Sequence, residues 1–393
     1  LSIAWDARPK SKGGQRWYGE EFDVNLSQNF NFTIPNIAAD PVRFQVSYAS
    51  NSRTTGNQIS LKNGSEIIGQ MVMPHSGSYY QRGTLSCADS TPSSTLNLSI
   101  NINRLSPSVV TYLDRILINA ERNLTLVCIQ LNFRVAKWSV GSAIAAYQIG
   151  NLTSNGFVWD VTDRHNPVRL PIELQGGTGT IKSTAGYKEF VVANGSSYFT
   201  PEKIGSVGYQ NLHALELADY LIVAHPDFLG QANRLADLHR ANGLSVHVVQ
   251  PQAIYNEFSS GMQDPGAIRR FAKMFYDRAL LSDPAQKPKY LLLFGDGTYD
   301  PKNREPNNNN FVVTYQMMSS ENAIDAMVVD DFFGILDDAE SMSAADMMDI
   351  GVGRLIVSTS VQAKQVVDKI EHYMKNGSNF YPVTSSCCMG TQT

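Results

Sequence analysis

From residue 219 onward, short apolar runs alternate with amphipathic helical stretches, and this alternation restricts the fold more than any other feature. Asp219-Tyr-Leu-Ile-Val-Ala224 is too continuously apolar to leave one face wet. Residues 228–242 follow with Phe228, Ala232, Leu235, Ala236 and Leu238 at helical spacing, and Gly243 stands where a glycine ends a helix. Residues 245–249 form a second apolar run. Asp264-Pro265 then places an N-capping acid before a proline suited to the first helical position. The stripe behind it is Ile268, Phe271, Ala272, Phe275 and Ala279. Residues 290–295 and 350–357 supply two more strands, and 359–373 a last helix striped by Ala363, Val366, Val367, Ile370 and Tyr373. Strands and helices alternating in this way predict a parallel sheet covered on both faces.

Residues 1–200 have another texture. Period-two or β-branched runs recur at 42–48, 95–102, 124–133 and 156–161, separated by turn clusters such as Gln175-Gly-Gly-Thr-Gly-Thr180. No amphipathic helix interrupts them. The expected fold class is an N-terminal all-β domain, sandwich-like or barrel-like, followed by an α/β domain. The expected boundaries are a β-rich domain over 1–200, an α/β domain over 206–376 and an atypical tail over 377–393.

Charge divides at the same place. Residues 1–205 hold 18 Lys and Arg against 14 Asp and Glu, whereas 206–393 hold 14 against 22. The net charge of −4 argues against a protein that lives on phosphate contacts, so no nucleic-acid partner is expected. No apolar run approaches the roughly 18 residues of a membrane span. The chain opens at Leu1 with neither Met nor a signal-like stretch, and reads as a processed chain or a fragment.

Residues 305–353 carry ten acids and no Lys, Arg or His. Such a segment is a solvated loop, a hard-cation site or the rim of a pocket for a basic substrate. Asp330, Asp331 and Asp337 are the candidate calcium ligands, and Ca²⁺ is the one cofactor expected as an option. Asp296, in Gly295-Asp-Gly-Thr-Tyr-Asp300 directly after an apolar strand, stands where open parallel sheets gather ligands. With Asp300 and Lys302 nearby it could accept a phosphoryl group, although Gly-Asp-Gly is also an ordinary tight turn. Neither a G-x-S-x-G elbow nor a P-loop nor H-E-x-x-H occurs. Of the histidines, His239 and His372 fall on helices and His247 within a strand, which favours packed or solvated roles. Cys387 and Cys388 sit in an aperiodic terminal stretch, poorly suited to hold a nucleophile in attacking geometry.

Six ordered blocks carry a resemblance. They are Gln210-Asn-Leu-His213, Tyr255-Asn-Glu-Phe-Ser-Ser-Gly261, Asp264-Pro-Gly-Ala-Ile-Arg-Arg270, Lys289-Tyr-Leu-Leu-Leu-Phe-Gly-Asp-Gly-Thr-Tyr-Asp300, Asp330-Asp-Phe-Phe-Gly334 and Asp349-Ile-Gly-Val-Gly-Arg-Leu355. Together they resemble the gingipain-type cysteine peptidase family of Bacteroidetes over roughly 200–375, nearest to the sortases of the type IX secretion system. Trp159-Asp-Val-Thr162 and Phe199-Thr-Pro-Glu-Lys-Ile-Gly205 extend the likeness loosely into the β half. The resemblance implies a caspase-like α/β fold and a His/Cys pair on later loops. It further implies cleavage of C-terminal signal domains from secreted cargo, transfer of that cargo to a lipopolysaccharide amine, and a place on the outer surface of the outer membrane. The partners implied are cargo proteins and type IX secretion components. The blocks that carry the catalytic His and Cys are expected beyond the Gly-Arg-Leu strand, so the chain is expected to stop before them, with its sheet short of strands. Only Asp349 matches by position an acidic residue supporting the catalytic His. The alternative reading is a non-catalytic, calcium-binding surface or interaction module.

Overall fold

The computed structural model describes residues 2–4 and 14–376, apart from 78, 92, 136–143, 199, 305, 307, 323 and 343–345. Two compact units divide the chain: Leu1–Asp6 with Tyr18–Ser206, and Ala7–Trp17 with Val207–Thr393.

The named strands of the first unit all pair antiparallel, with one isolated parallel bridge between Thr125 and Gly150, and they are built around two separate cores. In the larger, Ser2–Ala4, Thr111–Asn119, Val42–Ser50 and Gln81–Asp89 form one sheet in that order, with Glu21–Phe22 also pairing with Thr111–Asn119. A second sheet runs Ser27–Thr33, Thr95–Asn103, Gln58–Asn63, Glu66–Val72. Alternation does the work here: Val42, Phe44 and Val46 are buried while Arg43 and Gln45 face water. Leu96, Leu98 and Ile100 answer them from the other sheet, closing a core with Leu61, Leu113 and Ile116. The register between Val42–Ser50 and Thr111–Asn119 shifts at Ser47/Tyr48, a bulge that re-aims the end of the strand. The smaller core, with Leu131, Ile149, Val158, Ile181, Phe190 and Val192, lies under two small sheets built from residues 130–193. The single sandwich or barrel expected from the sequence is therefore a pair of packed β assemblies.

The second unit holds the parallel sheet. Its elements are β1 (Tyr220–Ala224), α1 (Leu229–Ala241), β2 (Val246–Val249), α2 (Pro251–Phe258), α3 (Pro265–Ser282), β3 (Tyr290–Phe294), β4 (Gly351–Leu355) and α4 (Ser360–Asn376). The strand order is β2-β1-β3-β4, parallel throughout, with Ile222 opposite both Val248 and Leu292. Period two sorts each strand between two cores. Leu221, Val223, Leu291 and Leu293 pack with Ile268, Phe271, Ala272 and Phe275 of α3. Ile222, Ala224, Leu292 and Phe294 pack with Ala232, Leu235 and Ala236 of α1 and Ala363 and Val367 of α4. Both faces of the two central strands β1 and β3 are dry, which is why these two read as unbroken apolar runs, whereas β4 at the end of the strand order is only partly buried.

The helix ends follow their signals. Asp264 accepts from the Gly266 N–H at 2.8 Å as the N-cap of α3, Pro265 opens the helix, and Gly243 takes φ +90° just past α1. The short α2 goes beyond the sequence reading, although Pro251 at its first position was a usable signal. No helix among the described residues is long and apolar enough to cross a membrane.

Candidate functional site at the carboxyl ends of the parallel strands

The carboxyl ends of β1, β3 and β4 bring His225, the loop after Phe294, and Ser358 to one end of the sheet. His225 follows β1 directly. Its backbone N–H donates to Phe294 O, its Nδ1 accepts from the Asp227 N–H at 3.3 Å, and its ring meets the Phe311 ring edge-on with centroids 5.0 Å apart. Asp296 continues the ladder past β3, because its N–H donates to Val357 O and its carbonyl accepts from Phe311 and Val312. Its carboxylate is engaged on both sides, by the Gly297 N–H at 2.9 Å and the Ser358 hydroxyl at 3.2 Å. Gly297 is a close-approach glycine: a Cβ there would lie 2.4 Å from Thr314 Cγ2 and 2.8 Å from Val312 O.

Arg354 locks this loop from below. It emerges from β4 with its side chain only 9% exposed, and its guanidinium is saturated. Nε and Nη2 grip the two oxygens of Asp330 at 2.7 and 2.8 Å. Nη1 donates to Gly295 O and Val312 O, and Nη2 also to Val313 O. A planar fork of donors meeting a carboxylate and three carbonyls fixes the positions of three loops at once. The sequence reading passed over Arg354 as a site residue; the signal was a lone arginine inside an apolar strand, which has to be paired.

The acids named from sequence do not converge as a set. Asp330 is spent on Arg354, and Asp331 is exposed at the start of the turn Asp331–Phe333. That turn and the buried run through Leu336 intervene before Asp337, so closeness in sequence does not become closeness in space. Asp337 instead joins Glu340 and Asp349, whose carboxylate oxygens all lie within 4.8 Å of one another. Tyr276 on α3 donates toward both Asp337 (3.1 Å) and Asp349 (3.0 Å), and the Leu336 N–H donates to Asp349 at 2.7 Å. Burial and the facing carboxylates of Asp349, Asp337 and Asp346 raise the Glu340 carboxyl above its ordinary range. Hard oxygen ligands at this spacing are what a calcium ion takes, so this group is the described one that could hold a metal. Asp349 precedes β4 and stands at the amino end of the sheet, opposite to the end that carries His225 and Asp296. Among the described residues its partners are Tyr276 and Leu336, and no histidine.

The other histidines of the α/β unit are held in structural contacts. His213 pairs through Nδ1 with Glu257 at 2.7 Å and stacks on Phe258; His247 Nε2 lies 2.8 Å from Glu216 O. Burial lowers the His239 pKa below its ordinary value. No cysteine occurs in residues 207–376, so these described α/β residues contain no thiol to partner an imidazole. Cys87 lies in the β unit, its thiol pushed up to about 11 by burial. Cys387 and Cys388 lie outside the described residues.

Comparison with known proteins fits this architecture. Residues 213–389 match the model of peptidase family C25. The crystal structure of dimeric latent PorU from Porphyromonas gingivalis superposes on 95% of this chain with a TM-score of 0.82 and 25% identity. The chain spans 37% of the length of that PorU chain. The Arg-specific cysteine proteinase gingipain R matches 42% of the chain and 30% of its own at 17% identity, with a TM-score of 0.26. No curated protein sequence matches the chain. The chain has a PorU-like fold, and its α/β region carries the match to peptidase family C25.

Proposed function

We propose that this chain forms the β unit and an α/β part of a type IX secretion sortase, a cysteine endopeptidase that removes C-terminal signal domains from secreted cargo and anchors the cargo at the cell surface. One observation carries the reading: the likeness to PorU runs across 95% of the chain, through the β unit as well as the α/β unit. A general peptidase likeness would need only the α/β part. The chemistry of such an enzyme is thiolate attack on a peptide carbonyl, with an imidazole moving the proton and N–H donors holding the oxyanion. The described residues supply the scaffold for it, since Arg354 and Asp330 fix the loops over the strand ends. The partners of this reading are the cargo proteins and other type IX secretion components, met on the outer face of the outer membrane.

The test compares two proteins against a synthetic peptide spanning the junction before a cargo's C-terminal signal domain. The full-length gene product cleaves the peptide, and thiol alkylation abolishes cleavage. The 393-residue chain alone leaves it intact. Cleavage that survives alkylation, or a stoichiometric His-dependent thiol adduct on Cys387 or Cys388 of the isolated chain, contradicts the proposal.

A second reading, a calcium-binding surface module, is favoured by the approach of Asp337, Glu340 and Asp349. Calcium would relieve the repulsion among three carboxylates that now meet Tyr276 and the Leu336 N–H. Thermal melting during calcium titration tests it. A rise in melting temperature that Glu340→Gln removes supports the module, and equal melting with and without calcium excludes it.

A further inference from the structure

The α/β unit contains a cavity of about 500 Å³ lined by Arg269, Tyr315, Met317, Phe332, Ile335 and Met342, with Ser319, Ser341 and Asp325 among its polar neighbours. Its walls are mostly apolar and aromatic, and its size is that of a site for one small organic group. Tyr315 and Phe332 stack face to face with centroids 3.9 Å apart, giving the cavity a rigid flat wall. The charge in it is specific. Arg269 rises from α3 and is held by two contacts: Nε donates to Ile335 O at 2.6 Å, and the guanidinium carbon lies 5.3 Å from the Phe332 ring centroid. Among the described residues Ile335 O is its one hydrogen-bond acceptor, so both terminal nitrogens remain available. The other charged group lining the cavity, Asp325, is exposed and accepts from Asn322 Nδ2 at 2.7 Å. Around it the surface exposes Met318, Ile324 and Met327, three large apolar side chains of the kind that mark a contact face.

We propose that this cavity binds an apolar carboxylate. Its aromatic or aliphatic part lies against Tyr315, Phe332 and the methionines, and its carboxylate pairs end-on with the terminal nitrogens of Arg269. A pre-positioned guanidinium fork beside an apolar wall selects that combination: a neutral apolar group leaves the fork unpaired, and a cation is repelled by it. Asp325 opposes a carboxylate at its own position, which directs the acid to the Arg269 end. The ligand chemistry has two sources, a free small acid and the carboxyl terminus of a peptide. The proposal is independent of the sortase reading, because neither a cysteine nor a histidine lines the cavity.

Titration of the 393-residue chain with N-acetyl-L-phenylalanine and its neutral amide, followed by methionine-methyl NMR, tests it. The acid is expected to shift the Met317 and Met342 methyls and to bind about tenfold or more tightly than the amide, as a charge-assisted contact implies. Arg269→Gln should abolish that preference, and Asp325→Asn should strengthen acid binding by about twofold. Because Arg269 also supports Ile335 O, the Asp325 variant decides if the Arg269 variant does not fold. Tighter binding of a tetrapeptide ending in phenylalanine carboxylate assigns the peptide source, and equal binding assigns the free acid. Equal affinity for acid and amide, absence of methyl shifts with either probe, or an Asp325→Asn variant that binds the acid no better overturns the proposal.

Discussion

At the scale of single residues, the α/β unit rests on a few saturated polar contacts within a dry fold. Arg354 is the principal one, with five hydrogen bonds to Asp330, Gly295, Val312 and Val313. Arg354→Met keeps the apolar stem but leaves Asp330 and three carbonyls unpaired, so stability should fall by about 3 kcal/mol, toward the lower end for a broken buried pair because Asp330 is a quarter exposed. Urea unfolding measures it, and a loss below about 1 kcal/mol would put Arg354 among ordinary surface pairs. Asp219 gives a pH signature. The Lys289 ammonium, the Ser245 hydroxyl and the Ser245 N–H hold its carboxyl down to about 2. A depressed carboxyl stabilises the fold above its unfolded value near 3.8, and that contribution is lost as pH falls toward about 2. Lys289 is half exposed, so the contribution is about 1 kcal/mol after screening. Asp219→Asn should flatten the stability profile between those pH values while leaving other acid-sensitive groups in place; a profile parallel to the wild type would contradict the assignment. The polar partners behind both predictions were hidden in the sequence, because each pairing joins residues more than twenty positions apart.

At the scale of elements, periodicity and end signals carried most of the information. The four strands and three longer helices of the α/β unit lie within a few residues of where apolar spacing put them, since the central strands are buried on both faces and each helix on one. Asp264 and Pro265 mark the start of α3 in the sequence and in the structure alike. Asp264→Ala should cost about 1 kcal/mol, the ordinary value of an N-cap, and lower the thermal midpoint accordingly. An unchanged midpoint would mean that packing of Phe271 and Phe275 alone holds the helix start. The acidic stretch was legible only as composition. Whether its carboxylates face one another depends on the segment from Asp331 to Leu336, which carries the chain from Asp330 at Arg354 to Asp337 at Asp349, the two ends of β4. The β half shows the same limit: alternation reveals strands, but the division into two cores is a matter of pairing partners far apart in the chain.

At the scale of the whole molecule, two units of different architecture share one chain, the first with 14 basic and 14 acidic residues and the second with 18 against 22. The family likeness was readable because six blocks fall on elements that shape the sheet and its loops: the short turn Leu212–Ala214, the α2 and α3 segments, β3 with its Gly-Asp-Gly loop, the turn at Asp330, and β4 with Arg354. These are positions where backbone approach or a buried pair restricts the choice of residue. Reaction and cargo lie at another level, because the described α/β residues hold histidines but no cysteine. The most direct measurement of the central claim is therefore made in the cell. The gene is disrupted, and the masses of surface proteins that carry C-terminal signal domains are determined before and after restoring the full-length gene. The account predicts that disruption leaves these proteins with their signal domains attached and detached from the surface, and that restoration reverses both. Cargo of mature mass anchored normally in the disrupted strain would contradict it.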